Sequence, residues 1–565
     1  MKDLTKIIFL CVLITYAGYK PVFAGSGEQQ WAAGGVDICT VVGDRLDGYG
    51  GEMAMVTDGS EGAIIVWEDY RNGSVTDWDI YAQRVDTDGN IKWTTNGVAI
   101  CTAKNMQRSP LVVSDGIGGA IIAWYDERDY STRCGDIYAQ QIDANGNIQW
   151  GTSGRPVCIQ NEHQYNHLIV SDGSGGAIVV WRDKRDFIDL FIPGVYGQRI
   201  NASGAALWGT DGRLITSEVD GSASIDSLVA DGSGGAYVVL ADYRNDNWDV
   251  YAQRVDANGS ALWSSDKPVC TVSDTQQYSS AVSLGGNGVI VVWDDDRDNI
   301  YGQRVDASGL IKWDTDGVRV SNTVSYNSTD KTAIVTDGSG GAIVGWLSVT
   351  SGYYGIDIHR LDADGVLQWS SGVTIAPQIA HYTLENLDMV SDGSGGAFIT
   401  WYDFRSYIDY DVYAQRIDAS GNIRWDSGGS AVCTMPGNQS APAMVLSGDD
   451  SIIVAWWDYS LTQTDYAIKA QKLTGSQSSD TTTTTTGSGG CFSELLYGEY
   501  SKEAELLRYF RDDVLGKTPE GQEIIRLYYQ LSPVIVKAME KDKQFKEEMK
   551  EMIDGILPLI FEGEE

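Results

Sequence analysis

Apolar and polar residues alternate in short runs along most of the chain, and the runs come in fours. The clearest set starts after the NIQW phrase that ends at Trp150. It passes through GTSGRPVC and HLIV, then SDGSGGAIVVW and YGQRINASG, and reaches the next such phrase at Trp208. Runs of this length with a period of two are strands that bury one or both faces. DGSGG precedes the second run, and DASGN or DANGN precedes the fourth. Glycine supplies the positive φ that tight connections need, while Asp or Asn bonds its own backbone, so both peptides are hairpin turns. Each set therefore predicts a four-stranded antiparallel meander.

The set repeats. Trp31, Trp93, Trp150, Trp208, Trp263, Trp313, Trp369 and Trp425 each end an equivalent phrase, from 50 residues apart (263 to 313) to 62 (31 to 93). Repetition of a four-stranded unit allows a radial propeller or an elongated stack. The ends of the tract separate the two. GSGEQQW, before and including Trp31, supplies only a fourth strand, whereas the last copy (AMVLSG, IIVAWWD, AIKAQKLTG) lacks one. Two fragments that complete each other predict a closed ring of eight blades, with seven as the alternative. In that ring the segment around Trp31 pairs with residues 467–473. The fold class is all-β, followed by a small α-helical region. The segment AQRIDASGNIRW and its variants resemble the tryptophan-docking repeat of eight-bladed quinoprotein-type propellers, including noncatalytic scaffold members of the outer-membrane assembly machinery. The Gly-to-Trp spacing agrees, while Asp to Gly is one residue shorter here. The same segment looks like the Asp-box hairpin of sialidases with one residue more between Gly and Trp. Neither resemblance supplies catalytic residues.

The termini read differently. Lys2 and Lys6 precede an apolar run from Ile7 to Tyr19, and Val22-Phe23-Ala24 is a cleavage signature, so residues 1–24 are expected to be a signal peptide cut between Ala24 and Gly25. The run is short for a membrane span, and no later stretch approaches one. The propeller is expected over 25–475 and a Ser/Thr/Gly linker over 476–490. From Phe492 the apolar spacing becomes helical, with Thr518-Pro519-Glu520 as a helix start, so 491–565 is expected to form a helical C-terminal domain. Residues Cys491, Phe492, Tyr497, Gly498, Arg508, Arg511, Tyr528 and Pro533 resemble the C-terminal domain of exported bacterial proteins that opens with a Cys-Phe-Ile box. That resemblance implies sorting or surface retention, although residues 493–496 depart from the box and shorten it by one.

Composition narrows the partners. Lys plus Arg number 41 against 78 Asp plus Glu, a formal charge of −37, which argues against nucleic acid or an anionic membrane bound through a basic face. Four His residues make a multi-histidine metal enzyme a poor fit. His163 and His167 have helical metal-pair spacing but fall between strands, where it does not converge, and are read as surface residues. Cys39, Cys101, Cys158, Cys270 and Cys433 fill one slot of the repeat and are read as small buried residues without disulfides, leaving Cys134 and Cys491 as exposed thiols. Acidic turns such as Asp86 to Asn90, Asp314 to Gly317 and Asp362 to Gly365 are fragments of calcium loops without the full ligand pattern. They are read as hairpin turns, with no cofactor expected and calcium the ion they would suit.

A phrase W-x-D-x-R recurs at Trp67/Asp69/Arg71, Trp124/Asp126/Arg128, Trp181/Asp183/Arg185, Trp293/Asp295/Arg297 and Trp401/Asp403/Arg405. Alternation places the three side chains on one face, where burial would force the charges to pair. No G-x-S-x-G elbow, H-E-x-x-H motif or dinucleotide loop occurs. The expected function is an exported, monomeric binding or scaffold propeller for an envelope protein or a glycan, at the cell surface, outside the cell or in the periplasm. A secreted carbohydrate-active hydrolase or lyase is the alternative. The connections between second and third strands vary in length and carry Trp78, Tyr130, Phe187, Phe191, Trp248, Tyr353, Tyr354 and Tyr407. These aromatics are the expected binding residues.

Overall fold

The computed structural model describes residues 27–475, except 33, 44–50, 186–193, 217–222, 298, 322–323, 326–331, 351–352, 371, 377–378, 381–383, 407 and 461–465, together with 546, 547 and 550. The expected signal peptide with Ala24 and Gly25, the linker, and Cys491 lie outside the described residues. So does the helical C-terminal region, apart from Lys546, Glu547 and Lys550, all three of which are helical. Among the described residues, 27–403 and 410–475 form one compact unit.

This unit is an eight-bladed propeller of four-stranded antiparallel blades. Blades 1 to 7 occupy 53–101, 107–158, 164–216, 223–270, 276–319, 324–380 and 384–433. Blade 8 combines 437–475 with the N-terminal strands Gly27–Gln29 and Val36–Cys39. The first strand of each blade touches that of the next, and Met53–Thr57 of blade 1 touches Gly437–Leu446 of blade 8, so the ring closes on itself. Closure follows the expected pairing: Gly27, Glu28 and Gln29 face Gly475, Thr474 and Leu473, while Val36, Asp37 and Cys39 face Ala470, Lys469 and Ile468. Between the two strands the Trp31 amide donates to Gln471 Oε1 at 2.9 Å.

One expectation fails at the outer edge. In blades 1 to 7 the phrase ending in Trp does not form the fourth strand; it makes a single bridge to the third, such as Val85 to Ile91 or Ile142 to Ile148, and only in blade 8 does it pair as a short strand, Gly27–Gln29. The fourth strand lies beyond the Trp, at Val98–Cys101 in blade 1 and Arg155–Cys158 in blade 2. A glutamine in the third strand replaces the missing ladder. Gln83 accepts from the Trp93 amide at 3.0 Å and donates to the Thr94 carbonyl at 2.8 Å, so the chain peels away without orphaned backbone groups. Gly97, at φ +91°, then turns it back into the sheet, and a Cβ there would meet Trp67 at 2.5 Å.

Released from the sheet, each tryptophan docks on the next blade. In most blades its indole N–H donates to a carbonyl in the next blade's DASGN-type turn: Trp31 to Thr87, Trp93 to Ala144, Trp150 to Ala202 and Trp208 to Ala257, at 2.9 to 3.2 Å, whereas the Trp425 ring packs on Gly27 without such a bond. A third-strand arginine reaches the same acceptor. Arg84 donates to Ala144 at 2.8 Å and Arg199 to Ala257 at 3.2 Å. The turn glycine admits the ring; a Cβ on Gly146 would lie 2.8 Å from Trp93. Arg84 also pairs with Asp58 at 2.8 Å, whose other oxygen caps the DGSEG turn through the Ser60 and Gly62 amides.

The W-x-D-x-R face is buried and internally paired, as alternation predicts. Asp183 accepts from the Trp181 indole at 2.7 Å and from the Arg185 amide at 2.8 Å. Arg185 reaches Cys158 Sγ of the preceding blade at 3.1 Å and the Asp211 carbonyl at 2.8 Å, with its guanidinium 3.9 Å from the Tyr196 ring centroid. Removing either partner of such a pair costs about 3–5 kcal/mol. The recurrent cysteines are buried and free among the described residues, and burial pushes the Cys39 thiol up to about 11.

Candidate functional site

A four-stranded meander sends its first-to-second and third-to-fourth turns to one side of the ring and its other connections to the opposite side. The near-constant DGSGG and DASGN turns hold the framework side. The variable side is where the residues between the motif positions end up. In W-x-D-x-R the two x side chains point away from Trp, Asp and Arg, toward the first strand and the second-to-third connection. They read Glu68 and Tyr70, Tyr125 and Glu127, Arg182 and Lys184, Ala241 and Tyr243, Asp294 and Asp296, Trp457 and Tyr459. These positions are where blade-specific chemistry sits. The sequence analysis passed over them because it followed the recurring residues rather than the gaps between them.

Aromatic pairs flank several second-to-third connections. Tyr243 and Trp248 meet edge to face at 6.1 Å in blade 4 and Tyr402 and Tyr410 at 5.3 Å in blade 7, while Tyr459 and Tyr466 lie tilted against each other at 5.1 Å in blade 8. Tyr243 is 44% exposed, and Trp248, Tyr402, Tyr410, Tyr459 and Tyr466 are half-buried, so each pair leaves ring surface open. The Tyr402 hydroxyl donates to Glu385, which fixes that ring.

The expected binding residues are distributed unevenly over this arrangement. Trp78 is 3% exposed rather than open, packed on Tyr70 at 5.0 Å under the Arg108 guanidinium at 5.5 Å; it seals its own blade edge. Tyr130, in a short helix Tyr130–Arg133, is 49% exposed and stands 6.0 Å from the His163 ring. Trp248 is half-buried beside Tyr243. Tyr353 and Tyr354 are not connection residues, because strands Ala342–Thr350 and Tyr353–Leu361 run on until they pair Thr350 with Tyr353. The half-buried Tyr354 packs on the core of blades 6 and 7. Phe187, Phe191 and Tyr407 lie outside the described residues.

Two other sequence expectations meet the geometry here. His167 is not a surface residue: it is 5% exposed on the first strand of blade 3, and burial pushes its pKa down to about 4 against the raising influence of the Ala123 and Ser109 backbone. A bulge between Tyr165 and Leu168, with Asn166 at φ +52°, turns it inward. His163 remains half-buried beside Tyr130. In the acidic turn 86–90, Asp86 accepts from the Asp88 and Asn90 amides at 3.1 and 2.8 Å and pairs with Lys92 at 3.2 Å, so its oxygens serve the turn. Among the described residues no three His, Cys, Asp or Glu side chains converge as a metal site, and no helix is long and apolar enough to cross a membrane.

The blade 3 pair differs from all the others in charge. The Arg182 guanidinium lies 5.2 Å from the Tyr165 ring centroid and Lys184 Nζ lies 5.3 Å from the same ring. At the equivalent position of blade 1, Glu68 is buried and pairs with Arg108 of blade 2 at 3.3 Å while accepting from the Ser109 amide at 2.6 Å. Arg182 has no such counterpart. The residue equivalent to Arg108 in blade 4 is Ser224, whose hydroxyl donates to Asp226.

No family model matches the chain, and no curated protein does. Among solved structures it is similar to a protein of unknown function from Dyadobacter fermentans, at 8% identity over 75% of this chain and 95% of that one, TM-score 0.38. It is also similar to an ulvan lyase, a polysaccharide lyase bound to a -[GlcA(1-4)Rha3S]- ligand, at 12% identity over 66% and 94%, TM-score 0.40. A Hadza microbial sialidase matches at 12% identity over 58% and 71%, TM-score 0.33. Similarity at this level carries no argument about activity.

Proposed function

We propose that this chain is an exported glycan-binding propeller that takes saccharide on the side carrying the second-to-third connections. The observation that supports it most is the set of partly open aromatic pairs at those connections, in blades 4, 7 and 8. Flat, rigid rings with one polar edge stack on the apolar faces of sugars at small conformational cost, and a ring held by a second aromatic is already oriented. The export part of the reading rests on the basic and apolar pattern of residues 1–24.

The test is a glycan array probed with the mature chain, followed by titration of the retained saccharide against a Tyr243→Ala/Trp248→Ala double variant. Binding to at least one saccharide, weakened about tenfold in the variant (about 1.4 kcal/mol), is expected. Retention of envelope protein but no saccharide would replace this reading with a protein scaffold. Turnover of a retained polysaccharide would replace it with the hydrolase or lyase.

A further inference from the structure

Arg182 is the clearest unsolved electrostatic problem among the described residues. It is half-buried, its Nε is buried without a hydrogen-bond partner, and its contact is the face of Tyr165. Among the described residues no carboxylate acts on it: burial, set against the Tyr165 phenol, lowers its pKa. In a chain of formal charge −37 an arginine without an acid is conspicuous: Arg71, Arg84, Arg128, Arg199 and Arg254 of these strands each have one, and Arg304, for which the described residues supply none, instead donates to the Ala363 carbonyl at 2.8 Å. A cation withdrawn from water and left unpaired costs stability unless something else uses it.

Its surroundings show what could use it. Lys184, two residues on, shares its side of the strand and the Tyr165 ring. The Lys184 amide donates to the His163 carbonyl at 3.0 Å, and the His163 ring faces the exposed Tyr130. Two cations and three rings thus form one patch on the side assigned to saccharide. Of the described acids near the exposed Tyr130, Glu127 accepts from the Tyr125 hydroxyl at 3.1 Å. We propose that this patch is an anion subsite, in which Arg182 receives the carboxylate or sulfate ester of an acidic saccharide while Tyr165 and Tyr130 flank its sugar. A guanidinium presents its donors in a fixed fork that suits either oxyanion, and a low-dielectric seat strengthens the bond. The surrounding negative field repels polyanions, so their capture depends on this local exception. The assignment rests on the glycan-binding reading above.

The experiment compares saccharides that differ only in charge. Wild type and Arg182→Gln, in the full mature chain at 150 mM salt, are titrated with polygalacturonate against its methyl ester, and with dextran sulfate against dextran. Wild type is expected to prefer the charged member of one pair at least tenfold, and the pair identifies carboxylate or sulfate. Arg182→Gln is expected to erase that preference, to leave the uncharged member's affinity unchanged, and to melt no lower than wild type. Saccharide binding without a charge preference, or a preference that survives Arg182→Gln, overturns the subsite and leaves the glycan-binding reading standing. Binding of no saccharide at all overturns both. If the variant melts several degrees lower and Arg182→Lys does not restore the preference, Arg182 is a structural residue and the subsite is overturned.

Discussion

At the scale of single residues, two side chains separate what the fold needs from what it tolerates. Asp183 is buried but surrounded by donors, so its charge is part of the framework. His167 is buried with its Nε2 lacking a partner. A histidine whose folded pKa is about 4 against 6.5 unfolded is neutral in both states above pH 6.5. Its contribution is complete there and is lost as pH falls through 6.5 toward 4, because only the unfolded chain then takes the proton. Denaturant unfolding of wild type should therefore show a loss between pH 7 and pH 4 that exceeds the loss in His167→Gln by about 3 kcal/mol, from 1.36 kcal/mol per pKa unit. Parallel pH profiles would place His167 in water. Its burial could not be read from the sequence, because a one-residue bulge reverses the side of every residue before it and leaves no mark in the polar pattern.

At the scale of the strand and its turn, the informative unit is the phrase from the third-strand glutamine to the tryptophan. Reading that phrase as the fourth strand was reasonable from alternation alone, since Ile148 and Trp150 have the right spacing. The glutamine side chain decides otherwise by taking over the backbone bonds two residues after the bridge, as Gln140 does with the Trp150 amide at 2.8 Å. What the sequence did show was docking: the Trp follows a turn glycine at fixed distance, and in the structure the ring of one blade lies on the turn glycine of the next. Trp150 is 3% exposed, packed against Gly204 and bonded to Ala202. Trp150→Ala should cost about 3–5 kcal/mol, measured by equilibrium unfolding, and an unchanged stability would remove it from the blade interface. The candidate site was legible only in part. The second-to-third connections were read as the variable side, but the burial of Trp78 depends on a tyrosine and an arginine from separate segments, which no local pattern reveals.

At the scale of the whole ring, every blade reaches forward to its successor through an indole and, in most blades, an arginine, and blade 8 does so through Trp31. The last blade is therefore completed by residues some 440 positions away in the chain. Deleting residues 25–40 should lower the melting temperature and convert monomer into higher-order species on size-exclusion chromatography, because the third strand of blade 8 would become an unpaired edge. Unchanged melting and elution would contradict the closure. The same arrangement has a consequence for folding order. Seven blades can form from neighbouring sequence, but the eighth waits for a strand that has been free since the start of folding, and contacts of such separation form slowly. During that interval each molecule carries both a loose strand and an open groove of matching register. The groove does not distinguish its own strand from that of another copy, so at high concentration two chains can exchange strands and close each other's rings, with every native hydrogen bond kept and only its ownership changed.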